Sequence, residues 1–202
     1  MNAITQFHLV KHDNIREDLL DEMFRLRYQK NVVEGKWSEG ITVKDGKEMD
    51  DYDHENAFYV IGTNCNNEVL VSLRLISTKY QYLTKEKFPE LFEFLPLPNT
   101  DKIWEVTRLT TKYPSDDYFS LTYVAALKFG IQNSIDNYLV FNDKTHKEIY
   151  RKSGLCLSSL GDTKLIDNKF EVYIGMMPVM PEFLEVLIKK NRLNVKEIIF
   201  NF

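Results

Sequence analysis

Apolar and polar positions recur along the chain with two periods, which together predict a mixture of helices and strands. Residues 7–10 predict a short extended start, and apolar residues then recur at helical spacing from 15 to 26. Asp13 and Asn14 can cap that helix, which we expect to end near Tyr28. Residues 32–56 are polar and irregular, so they predict a long loop, and long loops inside a domain are commonly functional.

The next part of the chain predicts an antiparallel hairpin followed by an interrupted helix. Two β-rich runs, 57–63 and 68–78, flank the turn-forming residues 64–67. A helical pattern over 82–94 is broken by Pro89, because proline has no backbone N–H to donate.

The rest of the chain predicts further strands and helices in alternation. Ser115 can cap a helix that is apolar on nearly every side, which predicts a buried position. The other predicted elements are strands over 102–108, 138–141, 155–160 and 169–174, a basic helix over 144–153 closed by Gly154, and a helix opened by Pro181.

This order of elements predicts an α/β fold. Strands alternate with helices, yet at least one pair of strands forms a tight hairpin, so we expect a three-layer α/β/α sandwich on a mixed sheet. The chain shows no internal repeat and no linker composition, and we interpret residues 1–202 as a single domain.

Composition and charge exclude several classes of function. The chain has 26 Lys and Arg against 30 Asp and Glu, so its formal net charge of -4 gives no general attraction for nucleic acid. No secretory signal and no run of about 18 apolar residues are present, so we expect no stable membrane insertion and a cytoplasmic location. Cys65 and Cys156 are far apart and the four histidines lack ligand spacing, so no metal site is expected.

Charged residues instead concentrate in the predicted loop and in the strands that follow it. Charges within apolar strands need partners, because an unpaired buried ion costs several kcal/mol. Besides Trp37, the candidate residues are Arg27, Asp50, Asp53, Arg74, Glu105 and Arg108.

These charges allow two interpretations. Arg74, Glu105 and Arg108 pair with Asp50 and Asp53 to hold the loop, or the same groups surround a zwitterionic ligand. Glu105 and Arg108 are three positions apart, so on a regular strand they would face opposite sides. A β-bulge or a strand end between them would let both reach one cleft.

The order and spacing of these residues resemble those of the acyl-homoserine-lactone synthases, the autoinducer synthases of bacterial quorum sensing. The resemblance runs from roughly residue 20 to residue 175 and includes segments 88–91 and 151–154. Two positions differ from the family pattern: the family usually has phenylalanine where Asn31 stands and an aromatic residue where Leu109 stands.

The resemblance implies a fold related to the N-acetyltransferases and a reaction between S-adenosylmethionine and an acyl thioester carried on acyl carrier protein. Methylthioadenosine would be released, and S-adenosylmethionine would be a substrate, with no cofactor. The resemblance also implies that Glu105, Arg108 and Arg27 form the catalytic centre. Glu105 suits a general base that takes a proton from the attacking amine, directly or through one water.

Further residues are assigned to substrate binding by the same resemblance. Asp50 and Asp53 suit the cationic sulfonium and amine, and the ligand carboxylate suits an arginine, for which Arg74 is a candidate beside the two catalytic arginines. Trp37 covers the adenine or the mouth of the cleft, or else it anchors the loop on the core. Counting back without gaps from Gly154 places Val140 where a threonine of the family tends to accompany 3-oxo acyl groups, so valine predicts an acyl chain unsubstituted at its third carbon.

A basic surface is the candidate for the acyl donor. Lys144, Lys147 and Arg151 fall on one face of the predicted helix, and Lys189, Lys190 and Arg192 add charge near the C-terminus. The face is either simply solvated or a docking surface for the acidic carrier protein.

Two other functions remain open. One is an N-acyltransferase that uses acyl-coenzyme A. Residues 109–114 contain no glycine-rich turn that could bind a pyrophosphate, and this counts against that function. The other is a non-catalytic binding relative, indicated by Asn31 and Leu109.

Overall fold

The chain builds one mixed β-sheet with helices on both faces. The computed structural model describes residues 3–35, 41–144, 146–166 and 169–201. The strands are β1 (Gln6–Lys11), β2 (Thr42–Lys44), β3 (Lys47–Met49), β4 (Ala57–Thr63), β5 (Val69–Ser77), β6 (Ile103–Thr111), β7 (Asn137–Asp143), β8 (Ser158–Ser159), β9 (Lys164–Ile166), β10 (Phe170–Pro178) and β11 (Ile199–Asn201). The helices are α1 (Glu17–Arg27), α2 (Leu83–Lys87), α3 (Asp116–Gln132), α4 (His146–Ser153) and α5 (Pro181–Lys190).

The large sheet has the strand order β11-β1-β4-β5-β6-β7-β10-β8, and β9 pairs with β10 outside this path. The β1/β11 and β6/β7 pairs are parallel, and the other pairs of this sheet are antiparallel. Strands β2 and β3 form a separate hairpin. The predicted mixed sheet is therefore confirmed.

Two apolar clusters cover the two faces of the sheet. The first contains α3 and the inner faces of α4 and α5, and the second contains α1 and α2. On β7, Tyr138 and Val140 belong to the first cluster and Leu139 to the second, as the alternation of side chains along a strand requires. Every residue of the central strand β5 is buried, since both of its faces are covered. The result is the expected three-layer α/β/α sandwich.

The sheet opens between β6 and β7. The parallel ladder of these strands begins at Ile103 and Asn137 and ends at Val106 and Val140. Beyond that point β6 continues to Thr111 in its pairing with β5, and β7 continues to Asp143 in its pairing with β10. The two strands therefore separate and leave a gap in the middle of the sheet.

Several predicted elements are confirmed and others are wrong in position. The hairpin of β4 and β5 is present, and the Ser115 side chain accepts a hydrogen bond from the backbone N–H of Tyr118 at the start of α3. Asp13 and Asn14 do not cap α1, because residues 12–14 form a separate short turn and α1 begins only after Arg16. Helix α1 ends at Arg27, close to the expected Tyr28, and a π-helical segment that was not predicted follows it to Glu34.

The predicted loop and the predicted late strands also differ from the structure. Residues 32–56 contain the β2–β3 hairpin, and the predicted strand over 155–160 is reduced to Ser158–Ser159. The edge strand β11 was not predicted, because three residues are too few to show an alternating pattern in the sequence.

Candidate active site

Three arginines and three carboxylates form a buried cluster on the α1/α2 side of the sheet. Its members are Arg27 at the end of α1, Glu48 on β3, Asp50 and Asp53 after β3, Arg74 on β5 and Arg108 on β6. Formal charges of +3 and -3 balance within the cluster, and each of its six ions has a partner of opposite charge.

Arg27 joins two of the carboxylates. Its Nε and Nη2 donate to the two oxygens of Glu48 at 2.8 and 2.9 Å. Its Nη1 and Nη2 donate to Asp53 at 2.8 and 2.9 Å. Both contacts are bidentate, which is the strongest geometry for an arginine–carboxylate pair.

Arg74 joins the strand to the loop that follows β3. Its Nη1 and Nη2 donate to the two oxygens of Asp50, the second at 3.0 Å, and its Nε donates to Thr107 Oγ1 at 3.2 Å. Asp53 Oδ1 lies 3.1 Å from Nη1 of the same guanidinium. The pairs that were expected to hold the loop are therefore present for Arg74.

Arg108 reaches the cluster through a β-bulge. The register between β5 and β6 shifts between the Ser72–Thr110 and Arg74–Thr107 pairs, and Arg108 lies there with a φ of 56°. Its Nε donates to Glu48 Oε1 at 3.0 Å, and its Nη2 contacts Asp50 Oδ2 at 2.7 Å without an aligned hydrogen bond. The expected bulge between Glu105 and Arg108 is thus present.

The arginines keep two of these acids ionised. Burial would raise the pKa of Glu48, but the charges of Arg27 and Arg108 outweigh it and lower the pKa to about 2. For Asp53 burial is likewise outweighed by Arg27 and Arg74, which hold the pKa of that carboxyl well below its usual range.

The oxygens of Asp50 and Asp53 are already occupied. Asp53 also accepts hydrogen bonds from Tyr59 Oη at 3.0 Å and from the backbone N–H of Asp50 at 3.0 Å. Asp50 Oδ1 accepts another from the backbone N–H of Tyr52 at 2.9 Å. A cationic ligand would have to displace these donors to contact either carboxylate directly.

Glu105 has different partners from the cluster. Its carboxylate accepts hydrogen bonds from the backbone N–H groups of Leu83 and Thr84 at 3.1 and 2.8 Å and from Thr84 Oγ1 at 2.6 Å. The side chain is completely buried, and burial raises the pKa of Glu105 above its ordinary value. It points to the same face as Arg74, because Ile76 is its cross-strand neighbour and lies two positions from Arg74.

A cavity of about 220 Å³ lies beside the cluster, at the gap between β6 and β7. One part of its wall is polar and contains Glu48, Arg108 and Asn31, whose Nδ2 donates to Glu48 Oε2 at 3.1 Å. The other part is apolar and consists chiefly of Leu109, Phe141, Phe170 and Val172. Both positions that differ from the family pattern, Asn31 and Leu109, therefore line this cavity.

Two substrate-binding candidates remain, Trp37 and Val140. Trp37 is outside the described residues. Val140 is completely buried in the apolar cluster that contains α3, and it is not part of the cavity wall. Asn142, which sequence reasoning missed, lines the cavity; a single polar residue at a strand end gives no sequence signal of that role.

The basic face of α4 is partly neutralised by acids. Lys144 lies 3.1 Å from Glu171, and Arg151 pairs with Glu148 through bidentate contacts on the exposed surface. The Nζ of Lys147 lies 4.5 Å from the ring centre of Tyr173. The cations expected to dock a carrier protein are therefore on the surface, with local acidic partners for two of them.

Comparison with known proteins identifies related sequences over most of the chain. A family model described as autoinducer synthase matches residues 11–187. An acyl-homoserine-lactone synthase of Pectobacterium parmentieri is 25% identical over 90% of this chain and 85% of its own. An isovaleryl-homoserine lactone synthase of Bradyrhizobium diazoefficiens is 26% identical over 86% of this chain and 79% of its own.

Solved structures agree with the fold. A CoA-dependent acyl-homoserine lactone synthase, solved with SAM and isopentyl-CoA, superposes with a TM-score of 0.86 at 22% identity and covers 98% of this chain and 93% of its own. A putative N-acetyltransferase from Lactobacillus plantarum superposes with a TM-score of 0.57 at 15% identity, covering 87% of this chain and 99% of its own. The expected relation of the fold to the N-acetyltransferases is therefore confirmed. No helix within the described ranges is long and apolar enough to cross a bilayer.

Proposed function

The chain belongs to the autoinducer synthase family and is an acyl-homoserine-lactone synthase, an acyltransferase, and we propose that its substrates are S-adenosylmethionine and an acyl thioester on acyl carrier protein. The aminobutyryl part of S-adenosylmethionine would enter the lactone, and the rest would be released as methylthioadenosine. The proposal includes no cofactor and no metal. Because both substrates are products of cytoplasmic metabolism, we propose a cytoplasmic location.

The observation that carries the proposal is the cavity in which a charged wall faces an apolar wall. Arg108 and Glu48 border it on one side, and Leu109, Phe141 and Val172 border it on the other. A zwitterionic amino acid and an apolar acyl chain must meet in this reaction, and the two walls match their chemistry.

The first chemical step is proposed to use Glu105 as general base. The amine of S-adenosylmethionine must lose a proton while its nitrogen forms a bond to the thioester carbonyl carbon, and the carbon–sulfur bond then breaks to release the carrier thiol. A carboxylate has about four lone-pair positions, and the donors from Leu83 and Thr84 use three, which leaves one. Glu105 is completely buried and is not part of the cavity wall, so it would take the proton through one water. The raised pKa of Glu105 makes it a better proton acceptor than the ionised Glu48.

The second step closes the lactone. The carboxylate of the acylated intermediate attacks its own γ-carbon, a carbon–oxygen bond forms, and the bond to the sulfonium breaks with loss of methylthioadenosine. This step depends on orientation more than on proton transfer. Among the residues that line the cavity, Arg108 is the guanidinium placed to hold that carboxylate.

The remaining members of the cluster are proposed to position the site. Arg27, Arg74 and Asp53 are buried and form ion pairs with one another. Arg27 also pairs with Glu48, which in turn pairs with Arg108, so these ion pairs hold Glu48 and Arg108 in place. Asp50 and Asp53 would act on the cationic groups of the ligand through the local field rather than by contact. Trp37 is proposed to cover the adenine of S-adenosylmethionine.

Acyl carrier protein is proposed as the donor because of the cations on and around α4. Lys147, Lys152 and Lys190 add to Lys144 and Arg151 on this side of the molecule, and an acidic carrier would be attracted to them. The alternative donor is acyl-coenzyme A, because a fold neighbour is described as CoA-dependent.

One assay separates these possibilities. The protein is incubated with S-adenosylmethionine and either octanoyl-acyl carrier protein or octanoyl-coenzyme A, and methylthioadenosine and lactone are measured by mass spectrometry. We expect both products in a 1:1 ratio, with a higher kcat/KM for the carrier-protein thioester. A higher kcat/KM for the coenzyme A thioester would overturn the donor assignment. No methylthioadenosine with either donor over a range of chain lengths would identify a non-catalytic relative.

A further inference from the structure

Asn31 lies in the charged wall of the 220 Å³ cavity, at the position where the family usually has phenylalanine. It belongs to the π-helical segment Tyr28–Glu34 that follows α1. Arg27 lies four residues before it, and both side chains donate to the same oxygen of Glu48. A polar amide therefore stands in this wall where the family pattern would place an apolar ring.

The contact with Glu48 fixes the orientation of the Asn31 amide. The arginines keep Glu48 ionised, and an ionised carboxylate only accepts hydrogen bonds, so Nδ2 of the amide faces it at 3.1 Å. The Oδ1 atom consequently points away from Glu48. Within the part of the chain that the structure describes, no donor forms a hydrogen bond to this oxygen. Because Asn31 is only half-buried, its Oδ1 is an acceptor that a ligand in the cavity can reach.

The lone pairs of Glu48 are already used by its own neighbours. Its Oε1 accepts from Arg27 at 2.9 Å and from Arg108 at 3.0 Å. Its Oε2 accepts from Arg27 at 2.8 Å and from Asn31 at 3.1 Å. These donors fill the about four lone-pair positions of a carboxylate. A hydrogen-bond donor of a ligand at this wall would therefore meet the amide oxygen of Asn31 rather than Glu48.

Asn31 and Arg108 offer an acceptor and a donor side by side. They bind the two oxygens of one carboxylate, so they are close neighbours in the wall. Nη2 of Arg108 is buried and contacts Asp50 without an aligned hydrogen bond, which leaves it free to donate to an anionic ligand. An α-amino acid has its carboxylate and its amine on one carbon. Its carboxylate can therefore lie on Arg108 while its amine reaches Asn31 Oδ1.

We propose that Asn31 Oδ1 accepts a hydrogen bond from the α-amine of S-adenosylmethionine and orients this nitrogen for attack on the acyl thioester. The inference rests on the proposed function, from which it takes the substrate. A neutral amide suits this place better than a carboxylate does. The amine has to be unprotonated when it attacks, and a carboxylate in contact with it would favour the protonated form.

A binding experiment tests the contact without turnover. S-adenosylhomocysteine has both the amine and the carboxylate, whereas its deamino analogue has the carboxylate alone. The affinity of both ligands for the wild type and for Asn31→Leu, a substitution of similar size, is measured by titration calorimetry. We expect Asn31→Leu to weaken the binding of S-adenosylhomocysteine by a factor of about ten and to leave the affinity for the deamino analogue unchanged. Equal weakening of both ligands would overturn the proposal, because Asn31 would then act only by holding Glu48 and Arg108.

A pH profile of kcat gives a second test, for which Asn31→Asp adds a carboxylate at the amine. We expect the acidic limb of the profile to move to higher pH by about one unit, because the new carboxylate raises the pKa of the amine, whose ordinary value is about 8. A lower kcat at every pH with an unmoved limb would contradict the contact. The charged groups around this position are Lys30 on the π-helical segment, Arg27 at the end of α1, Glu48 on β3, Asp50 after it, Arg108 on β6 and Asp143 on β7, and none of them is altered.

The matched control is Gln29→Glu. Gln29 lies on the same π-helical segment with its side chain on the exposed surface, and the substitution adds the same charge as Asn31→Asp. The affinities and the acidic limb should equal those of the wild type. A shift as large as that of Asn31→Asp would show that added charge on this segment, and not contact with the amine, moves the limb.

Circular dichroism checks that each variant is folded. If Asn31→Asp fails to fold because its carboxylate faces Glu48, the binding comparison with Asn31→Leu decides on the proposal. A wild-type protein that releases methylthioadenosine, together with equal weakening of both ligands in Asn31→Leu, would overturn the role of Asn31 and leave the synthase assignment intact. A wild-type protein that binds neither ligand and releases no methylthioadenosine would overturn the proposed function and this inference with it.

Discussion

Asp53 is the residue on which the buried cluster depends most directly. It accepts hydrogen bonds from Arg27, Tyr59 and the backbone of Asp50, and it lies 3.1 Å from Arg74. We expect Asp53→Asn to lower the free energy of unfolding by about 3–5 kcal/mol, because the buried guanidinium groups of Arg27 and Arg74 lose a negatively charged partner. Urea denaturation measures this change.

A matched substitution is Asp18→Asn. Asp18 pairs with Arg16 on the exposed surface, where solvent screens the pair. The urea midpoint of Asp18→Asn should not differ measurably from that of the wild type. An equal loss of stability in both variants would contradict a structural role for the buried cluster.

Glu105 and Arg108 are the residues on which the proposed chemistry depends. We expect Glu105→Gln and Arg108→Ala to abolish lactone synthesis in folded protein, because each loss raises the barrier by about 2–4 kcal/mol. Release of methylthioadenosine under saturating substrates measures the effect. Glu86→Gln, an exposed carboxylate on α2, is the control and should keep full activity. Wild-type turnover by Glu105→Gln would disprove the assignment of the base.

Glu48 makes the stability of the protein decrease at low pH. Its pKa is lowered from 4.5 to about 2 in the folded state, so its contribution is present above the unfolded value and is lost as the pH falls through this range. We expect the free energy of unfolding to fall between about pH 4.5 and pH 2 by about 3 kcal/mol from this group. Glu48→Gln should flatten that part of a pH series of urea titrations. A curve as steep as that of the wild type would contradict the inference.

Among the secondary-structure elements, β6 has the feature that builds the site. Its bulge places Arg108 at a φ of 56°, where a residue with a Cβ is strained. We expect Arg108→Gly to be more stable than Arg108→Ala by about 0.5–1 kcal/mol, although both lose the guanidinium. The control pair is Thr107→Gly and Thr107→Ala at a regular position of the same strand, where the order should reverse. The same order at both positions would show that the bulge conformation is not strained.

Helix α4 is the element proposed to meet the acyl donor. Reversing Lys147 and Arg151 to glutamate should raise the KM for acylated carrier protein and leave the KM for S-adenosylmethionine unchanged. The control is Lys85→Glu on α2, at the opposite face of the sheet. Equal activity of the reversed enzyme with carrier-protein thioesters would show that α4 is a solvated face with no docking role.

For the whole molecule, the product is the most direct readout. Val140 is completely buried next to α3 and is not part of the cavity wall, so the residues that form the apolar wall decide the acyl group instead. Leu109, Phe141 and Val172 have no side-chain hydrogen-bond donor, so a 3-oxo group buried against them would cost about 1–3 kcal/mol. We expect cells that express the protein to accumulate lactones unsubstituted at the third acyl carbon. Mass spectrometry of the culture extract identifies them, and a mainly 3-oxo product would disprove the prediction.

Short-range signals account for what the sequence by itself determined. Turn-forming residues between two β-rich runs predicted the β4–β5 hairpin, and Ser115 predicted the start of α3, because turns and caps depend on neighbouring residues. The alternation of strands and helices predicted the three-layer fold. The charged residues inside apolar strands indicated a buried ionic cluster, since such charges need partners.

Only the tertiary structure decided which partners these residues have. Sequence spacing allowed a bulge between Glu105 and Arg108, but the pairing of β5 with β6 is what put it at Arg108. Glu105 pairs with Leu83 and Thr84 because α2 packs against β6, a contact between residues more than twenty positions apart. The cavity likewise exists because β6 and β7 separate beyond Val106 and Val140, and strand pairing is a property of two segments, which neither segment's own pattern contains.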